Sequence, residues 1–304
     1  LKRSDIKKEA AKIVNEELTV DNSLFLYHDV CTNGIGYVDL MFKTDSIAPE
    51  QIPYLGLLKS VLGYVDTEHY TYGELFNEIN ANTGGINCGV EVFDRADSTE
   101  EFQAMFSVRG KALYTKMDFL FKMIGEILNS SKLEDTKRLY EIVASVKSRA
   151  QVNLTGAGHS TAVLRAAAYS SPMAAFQDEM AGIGYYQFIE KLEKDFEQRK
   201  EETVEELCKL MKKILRPENF MISYTGERES LETVQKLAGT VKAGLGTEPV
   251  EKSKEKLTCT KKNEGFKTSG QVQYVAQTGN FKKKGLEYTG ALEILKVILS
   301  YDYL

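Results

Sequence analysis

Residues 57–75, LLKSVLGYVDTEHYTYGEL, contain the pair Glu68–His69, and the metal-binding helix signature H-x-x-E-H ends in that same pair. The signature works because one helix face carries its first and fifth residues toward a single cation, while the Glu acts on the cation-bound water. Set on Glu68–His69, its first letter falls on Val65, which cannot ligate a metal. A catalytic zinc needs about three protein ligands. The other histidines, His28 and His159, stand at no ligand-like spacing from His69. His69 therefore reads as a surface histidine just past a helix.

Other reactive groups give little more. His159–Ser160 lies in GAGHSTA, but sequence neighbours rarely reach Ser–His hydrogen-bond geometry, and no G-x-S-x-G elbow is present. The glycines at 34, 36, 84, 85, 156 and 158 form neither G-x-x-x-x-G-K-[ST] nor a strand–GxGxxG–helix unit, so they read as turn and cap residues. Tyr70, Tyr72, Tyr185 and Tyr186 read as core and interface aromatics, and FKKKG (281–285) as a solvated turn. Cys31, Cys88, Cys208 and Cys259 are far apart, with no C-x-x-C and no finger spacing. They are expected to be free, mostly buried thiols in a reducing compartment.

The elements that must position these residues follow from the period of the apolar positions. Residues 4–18 carry Ile6, Ala10, Ile13, Val14 and Leu18 at helical spacing, with Ser4 as a cap. SLFLYHDV (23–30) and IGYVDLMFKT (35–44) read as strands, and Asn33–Gly34 between them is a hairpin turn. Pro49 and Pro53 introduce an apolar helical stretch at 54–65. Thr71 and Glu74 form a capping box for a helix that stops at Gly84–Gly85. Residues 86–93 and 101–112 are two more strands. Helices are expected over 116–130, 133–154 (boxed by Ser131 and Glu134), 160–170, 173–182, 185–200 and 202–215. A strand at 219–226 and a helix at 230–241 close this unit. Residues 242–265 are rich in Lys, Glu, Thr and Gly and read as a connector, 269–280 as a strand restarting a unit, and 288–304 as an apolar helix.

The pattern predicts an α+β fold with a mostly antiparallel sheet and helices packed on one face. At 304 residues, two units are the natural expectation. A net charge of −5 argues against a general nucleic-acid binder. No apolar run reaches the roughly 18–20 residues of a membrane span, and the charged start LKRSDIKKEAAKIVNEEL lacks a signal-like core. The missing initiator Met and the uncapped apolar helix at the end give the expectation of a piece of a longer polypeptide.

The ordered series HDVCTNGIGYVDLMF, PEQIPYLGLLKSVLGYVDTEHYTYGELFNEINANTGGI, LTGAGHSTAVLRAAAYSSPMAAFQDEMAGIGYYQFI and ENFMISYTG resembles the third domain of the presequence-protease branch of the pitrilysin/insulinase zinc metallopeptidases. SGQVQYVAQTGNFKKKGLEYTGALEILKVILSYDYL resembles the opening of the fourth. The resemblance implies a duplicated metallopeptidase-like fold whose second copy is truncated. Residues 1–18 would end a helical hairpin linker, 19–241 form a third-domain-like unit without the zinc motif, 242–265 a connector, and 266–304 the start of a fourth-domain-like unit.

In catalytic domains of this superfamily a Gly-Thr follows H-x-x-E-H, and here Asp66–Thr67 stands in its place. Counting back puts the motif on residues 57–61, with Leu57 and Val61 at the histidine positions and Ser60 at the Glu position. Leu57, Leu58, Val61 and Leu62 instead make an apolar face for packing on a sheet. The resemblance thus implies no catalytic residue, no metal and no cofactor in this chain, with zinc held in the N-terminal half of the parent. Its partners would be that catalytic half and peptide substrates, with no nucleic acid and no membrane. A substrate-reaching Arg and Tyr would follow Leu304. The implied function is the non-catalytic part of a closed chamber that degrades unstructured peptides, with an inactive scaffold subunit as the alternative. The implied compartment is the bacterial cytoplasm, with the mitochondrial matrix second.

Overall fold

The computed structural model describes residues 2, 5, 15–95, 97–253, 255, 257–268 and 271–302. Among these, six strands form one sheet: β1 (Glu16–Val20), β2 (Ser23–Asp29), β3 (Ile35–Lys43), β4 (Ile86–Asp94), β5 (Phe102–Leu113) and β6 (Phe220–Gly226). Their order is β1-β2-β6-β3-β5-β4. The β2–β6 pair is parallel and the other pairings are antiparallel. The period-2 alternation of each strand gives the sheet two distinct faces. One face carries the register row Leu18, Phe25, Ile222, Leu40, Val108 and Cys88. Tyr27, Phe42, Phe106 and Tyr224 extend this face, and all four are fully buried.

The helices of the described residues are α1 (Ile52–Val61), α2 (Tyr72–Asn82), α3 (Met117–Ser130), α4 (Thr136–Gly156), α5 (Gly158–Ala168), α6 (Pro172–Ala181), α7 (Ile183–Lys194), α8 (Phe196–Ile214), α9 (Leu231–Ala243) and α10 (Gly290–Asp302). Helix α3 packs on β5, and α9 packs on β6 and β1. Helix α1 lies against β4 and is enclosed by α4, α6, α7 and α8. The α+β reading with a mostly antiparallel sheet therefore holds. Among the described residues, no helix is long and apolar enough to cross a membrane.

Several expected elements differ. Asn33 and Gly34 do turn with positive φ, but β2 and β3 are not neighbours, because β6 lies between them. The hairpin is β1–β2, closed by Asp21 and Asn22 at φ 47° and 64°. Residues 16–18 belong to β1 and not to a helix, while 4 and 6–14 of the expected 4–18 helix lie outside the described residues. The cap of α4 is Asp135, which accepts from Arg138 N at 3.0 Å, whereas the Ser131 hydroxyl turns back to Ile127 O. The expected 185–200 helix breaks at Asp195, so α8 starts earlier than 202. The strand expected over 269–280 is not found, since residues 271–280 carry no strand. The cysteines are free, but Cys31 is exposed and the other three are half-buried.

The tightest packing surrounds α1. A Cβ added at Gly56 would stand 2.6 Å from the Met180 backbone oxygen and 2.7 Å from the Tyr185 ring. Backbone cannot yield there as a flexible side chain can. Gly56→Ala is expected to destabilise the fold by about 2 kcal/mol, the usual cost of overpacking a core. Urea unfolding followed by circular dichroism measures this as a lower midpoint with an unchanged slope.

Candidate functional site

The positions that the sequence aligns with a metal motif lie on α1, whose sequence is IPYLGLLKSV. Pro53 suits the first turn, where its missing N–H has no helical partner. Residues Ile52–Leu58 and Val61 are all buried, so the helix is core on nearly every side. That goes beyond the single sheet-facing stripe expected from the sequence. Leu57 and Val61 are fully buried hydrocarbons, and Ser60 is half-buried. Two alkyl chains and a hydroxyl do not form a zinc donor set. Among the described residues, no three His, Cys, Asp or Glu side chains gather where they could hold a metal ion.

Lys59 is the charged residue of this helix, and burial pushes its amine below the ordinary lysine range, with Glu91 acting weakly against that. Glu91 belongs to a polar row on the sheet face opposite Leu40 and Val108. Arg109 on β5 donates to Asp39 on β3 at 2.8 Å and pairs with Glu91 on β4 at 3.2 Å. Burial raises the Asp39 carboxyl above its usual range, although Arg109 acts to lower it. Asp39 Oδ1 and Ser107 Oγ are buried on this face without a hydrogen-bond partner among the described residues. The sequence signal for this row is only the alternation of polar with apolar residues in β3 and β5. It identifies the face but not the pairing.

Glu68 and His69 sit in the turn between α1 and α2. The turn is fastened by a bridge between Thr67 and Ser131, by Lys132 N donating to Asp66 O at 2.8 Å, and by Tyr72 N donating to Asp66 Oδ1 at 2.8 Å. His69 Nδ1 lies 3.0 Å from the Glu126 carboxylate of α3, and its side chain is 64% exposed. Partial burial acts to raise the Glu126 pKa, but hydrogen bonds from Thr67 and His69 outweigh it and hold the carboxyl below the ordinary range. His69 is thus a surface fastener. Thr71 and Glu74 form the expected capping box on α2.

The remaining candidates do not converge. His28 is on β2 and His159 opens α5, where its ring lies against Tyr274 at 6.2 Å. Ser160 follows it on the same exposed turn. Cys88 faces the core, where burial pushes its thiol up to about 12, the opposite of an activated nucleophile. The lysines at 282–284 form an exposed turn closed by Gly285.

The model of the family associated with peptidase M16, subfamily C, matches residues 1–192. The chain is 36% identical over 304 residues to "Protein HypA" of Clostridium perfringens, covering 100% of this chain and 31% of that protein. It is 26% identical over 308 residues to "Presequence protease 1, chloroplastic/mitochondrial" of Arabidopsis thaliana, covering 100% of this chain and 28% of that one. The chain therefore spans less than a third of these relatives. Among solved structures, a peptidase M16 inactive domain from Pseudomonas fluorescens superimposes with a TM-score of 0.51 at 14% identity, over 79% of this chain and 53% of that one. That last likeness is one of fold.

The electrostatics of α1 give a direct test. Lys59 binds its proton less tightly in the folded chain than in the unfolded one. Its contribution therefore destabilises the fold at neutral pH, and stability recovers as pH rises through the lowered pKa toward the ordinary value of about 10.4. Lys59→Met is expected to raise the denaturation midpoint at pH 7 and to flatten that alkaline recovery. Urea unfolding of both proteins at pH 7 and pH 10 measures the difference.

Proposed function

The chain belongs to the family associated with peptidase M16, subfamily C, and from that premise we propose that it is the C-terminal, non-catalytic part of a zinc metalloendopeptidase that degrades unstructured peptides. It supplies part of the wall of a closed substrate chamber. Its partners are the catalytic half of the same polypeptide, which holds the zinc, and the peptide substrate. The bacterial cytoplasm is the proposed compartment, with the mitochondrial matrix second, in line with the bacterial and organellar relatives.

The observation that carries this reading is α1. A helix placed like a catalytic one has hydrocarbons at Leu57 and Val61 and a hydroxyl at Ser60, all absorbed into packing. A side-chain set of this kind can neither hold a cation nor activate water. It can set the position of β4 and of the helices around it. The role left to the chain is shape, surface charge and contact with a partner half.

The test is zinc content and cleavage of an unstructured peptide, measured on this chain, on the full reading frame, and on this chain mixed with the separately produced catalytic half. The chain alone is expected to carry no stoichiometric zinc and to cut nothing. The mixture is expected to cut faster than the catalytic half alone. Stoichiometric zinc with chelator-sensitive cleavage by this chain would overturn the proposal. Tight association without any gain in cleavage would replace it with the scaffold reading.

A further inference from the structure

Residues 247–289 run from α9 to α10, and their described part contains no strand and no helix beyond the short turn Lys282–Lys284. This stretch is largely exposed, yet it is attached to the body at particular points. Ser253 N donates to Ser46 O at 3.2 Å, and Leu257 packs against the core. Glu264 meets a site that is already built without it. Asp178 is 1% exposed and accepts from Ile183 N at 3.0 Å and from Gly184 N at 3.2 Å, so it is locked at the start of α7. It holds Arg165 Nη1 at 2.6 Å. That contact fixes the guanidinium from behind and turns its other edge outward.

Glu264 fills that outward edge. Arg165 Nε donates to Glu264 Oε2 at 2.9 Å, and Nη2 lies 3.4 Å from Oε1. The Tyr169 hydroxyl donates to the same carboxylate and accepts from Arg165 Nε at 3.0 Å. Two parallel N–H donors on a planar fork, with a phenol beside them, match a carboxylate in geometry as well as in charge. The Arg165 fork and the Tyr169 hydroxyl hold the Glu264 carboxyl below the ordinary range. Ten residues on, the Tyr274 ring lies against Gly158, where an added Cβ would collide with it.

We propose that Arg165 and Tyr169 form a carboxylate receptor whose occupant, Glu264, latches residues 258–280 to the corner of α5 and α6, making that stretch a strap that can detach while the body stays folded. The receptor side is rigid because Asp178 and α7 fix it. The strap side has no regular backbone hydrogen bonding to oppose release. When the latch opens, the body keeps its core and the link to α10 lengthens. The position of α10 is then set by whether one carboxylate is seated.

Trypsin cleavage after Lys267, relative to cleavage of the isolated 258–280 peptide of the same sequence, reads the detached population. Tyr169→Phe and Glu264→Gln leave Arg165 and Asp178 paired, so the body is not left with an uncompensated buried charge. Each variant is expected to raise the relative cleavage rate about tenfold, the scale for losing a hydrogen bond to a charged group. Cleavage within α4 and α8, at Lys147 and Lys200, is expected to stay unchanged. An unchanged rate at Lys267 in both variants would overturn the latch. An equal rise at Lys147 and Lys200 would overturn it too, because it would mean general loosening rather than strap release.

Discussion

The sheet depends on β6. It pairs with β2 on one side and β3 on the other, and without it the β1–β2 hairpin has no link to β3, β5 and β4. Its residues lie far along the chain from both partners, after α1–α8. Closing so long a loop costs entropy before any contact rewards it, so the sheet forms only if the helical block permits the return. Aromatic packing fixes the join. Tyr224 stacks on Tyr27 with ring centroids 6.0 Å apart, and the Tyr27 hydroxyl donates to Gly226 O at 3.1 Å. Just beyond the strand, Glu227 N donates to the Tyr114 hydroxyl at 2.7 Å, and that hydroxyl donates to Glu227 Oε2 at 2.9 Å. The end of β6 is thereby tied to the end of β5.

Given that frame, the character of α1 follows from its place. The helix lies beside the outermost strand β4, with helices on its remaining sides. A site that keeps ligands there must leave a polar, solvent-reaching face, and such a face costs burial. Leu57 and Val61 fill that space instead, and complete burial of one large aliphatic side chain contributes roughly 1.5–3 kcal/mol. The exchange is one-way in effect. With Leu57 and Leu58 packed and Gly56 against the Met180 backbone, no room is left to reintroduce imidazoles without moving α6.

What the sequence made legible was what local rules govern. The capping box at Thr71 and Glu74, the strands β3, β4 and β5, the burial of 54–65 and the absence of ligand spacing around His69 each follow from neighbours within a few residues. What it hid was set by distant partners. Glu16 and Glu17 fit a helical pattern as well as a strand, and pairing with Leu26 and Tyr27 decides the matter. The Asn33–Gly34 turn was read correctly as a turn and wrongly as a hairpin, because the competing partner, β6, is remote. Asp39 and Arg109 are 70 residues apart, and only strand order brings them together. Arg165, Asp178 and Glu264 come from two helices and the connector, with no shared period to betray them.

The contrast between body and tail is thermodynamic. The buried apolar cluster reaches as far as Leu245, and among the described residues from 247 to 302 only Leu257 packs against it. Ile294, Leu295, Val297, Ile298 and Leu299 of α10 are exposed. Ordering each residue costs about 1–2 kcal/mol of backbone entropy, and little apolar burial offsets that cost in this stretch. Its placement therefore rests on a few discrete contacts rather than on a distributed core. Contacts of that kind open singly and reversibly, whereas a packed core opens cooperatively. A chain built this way keeps one rigid element, the sheet with its helices, and carries a second element whose position can be reset without disturbing the first.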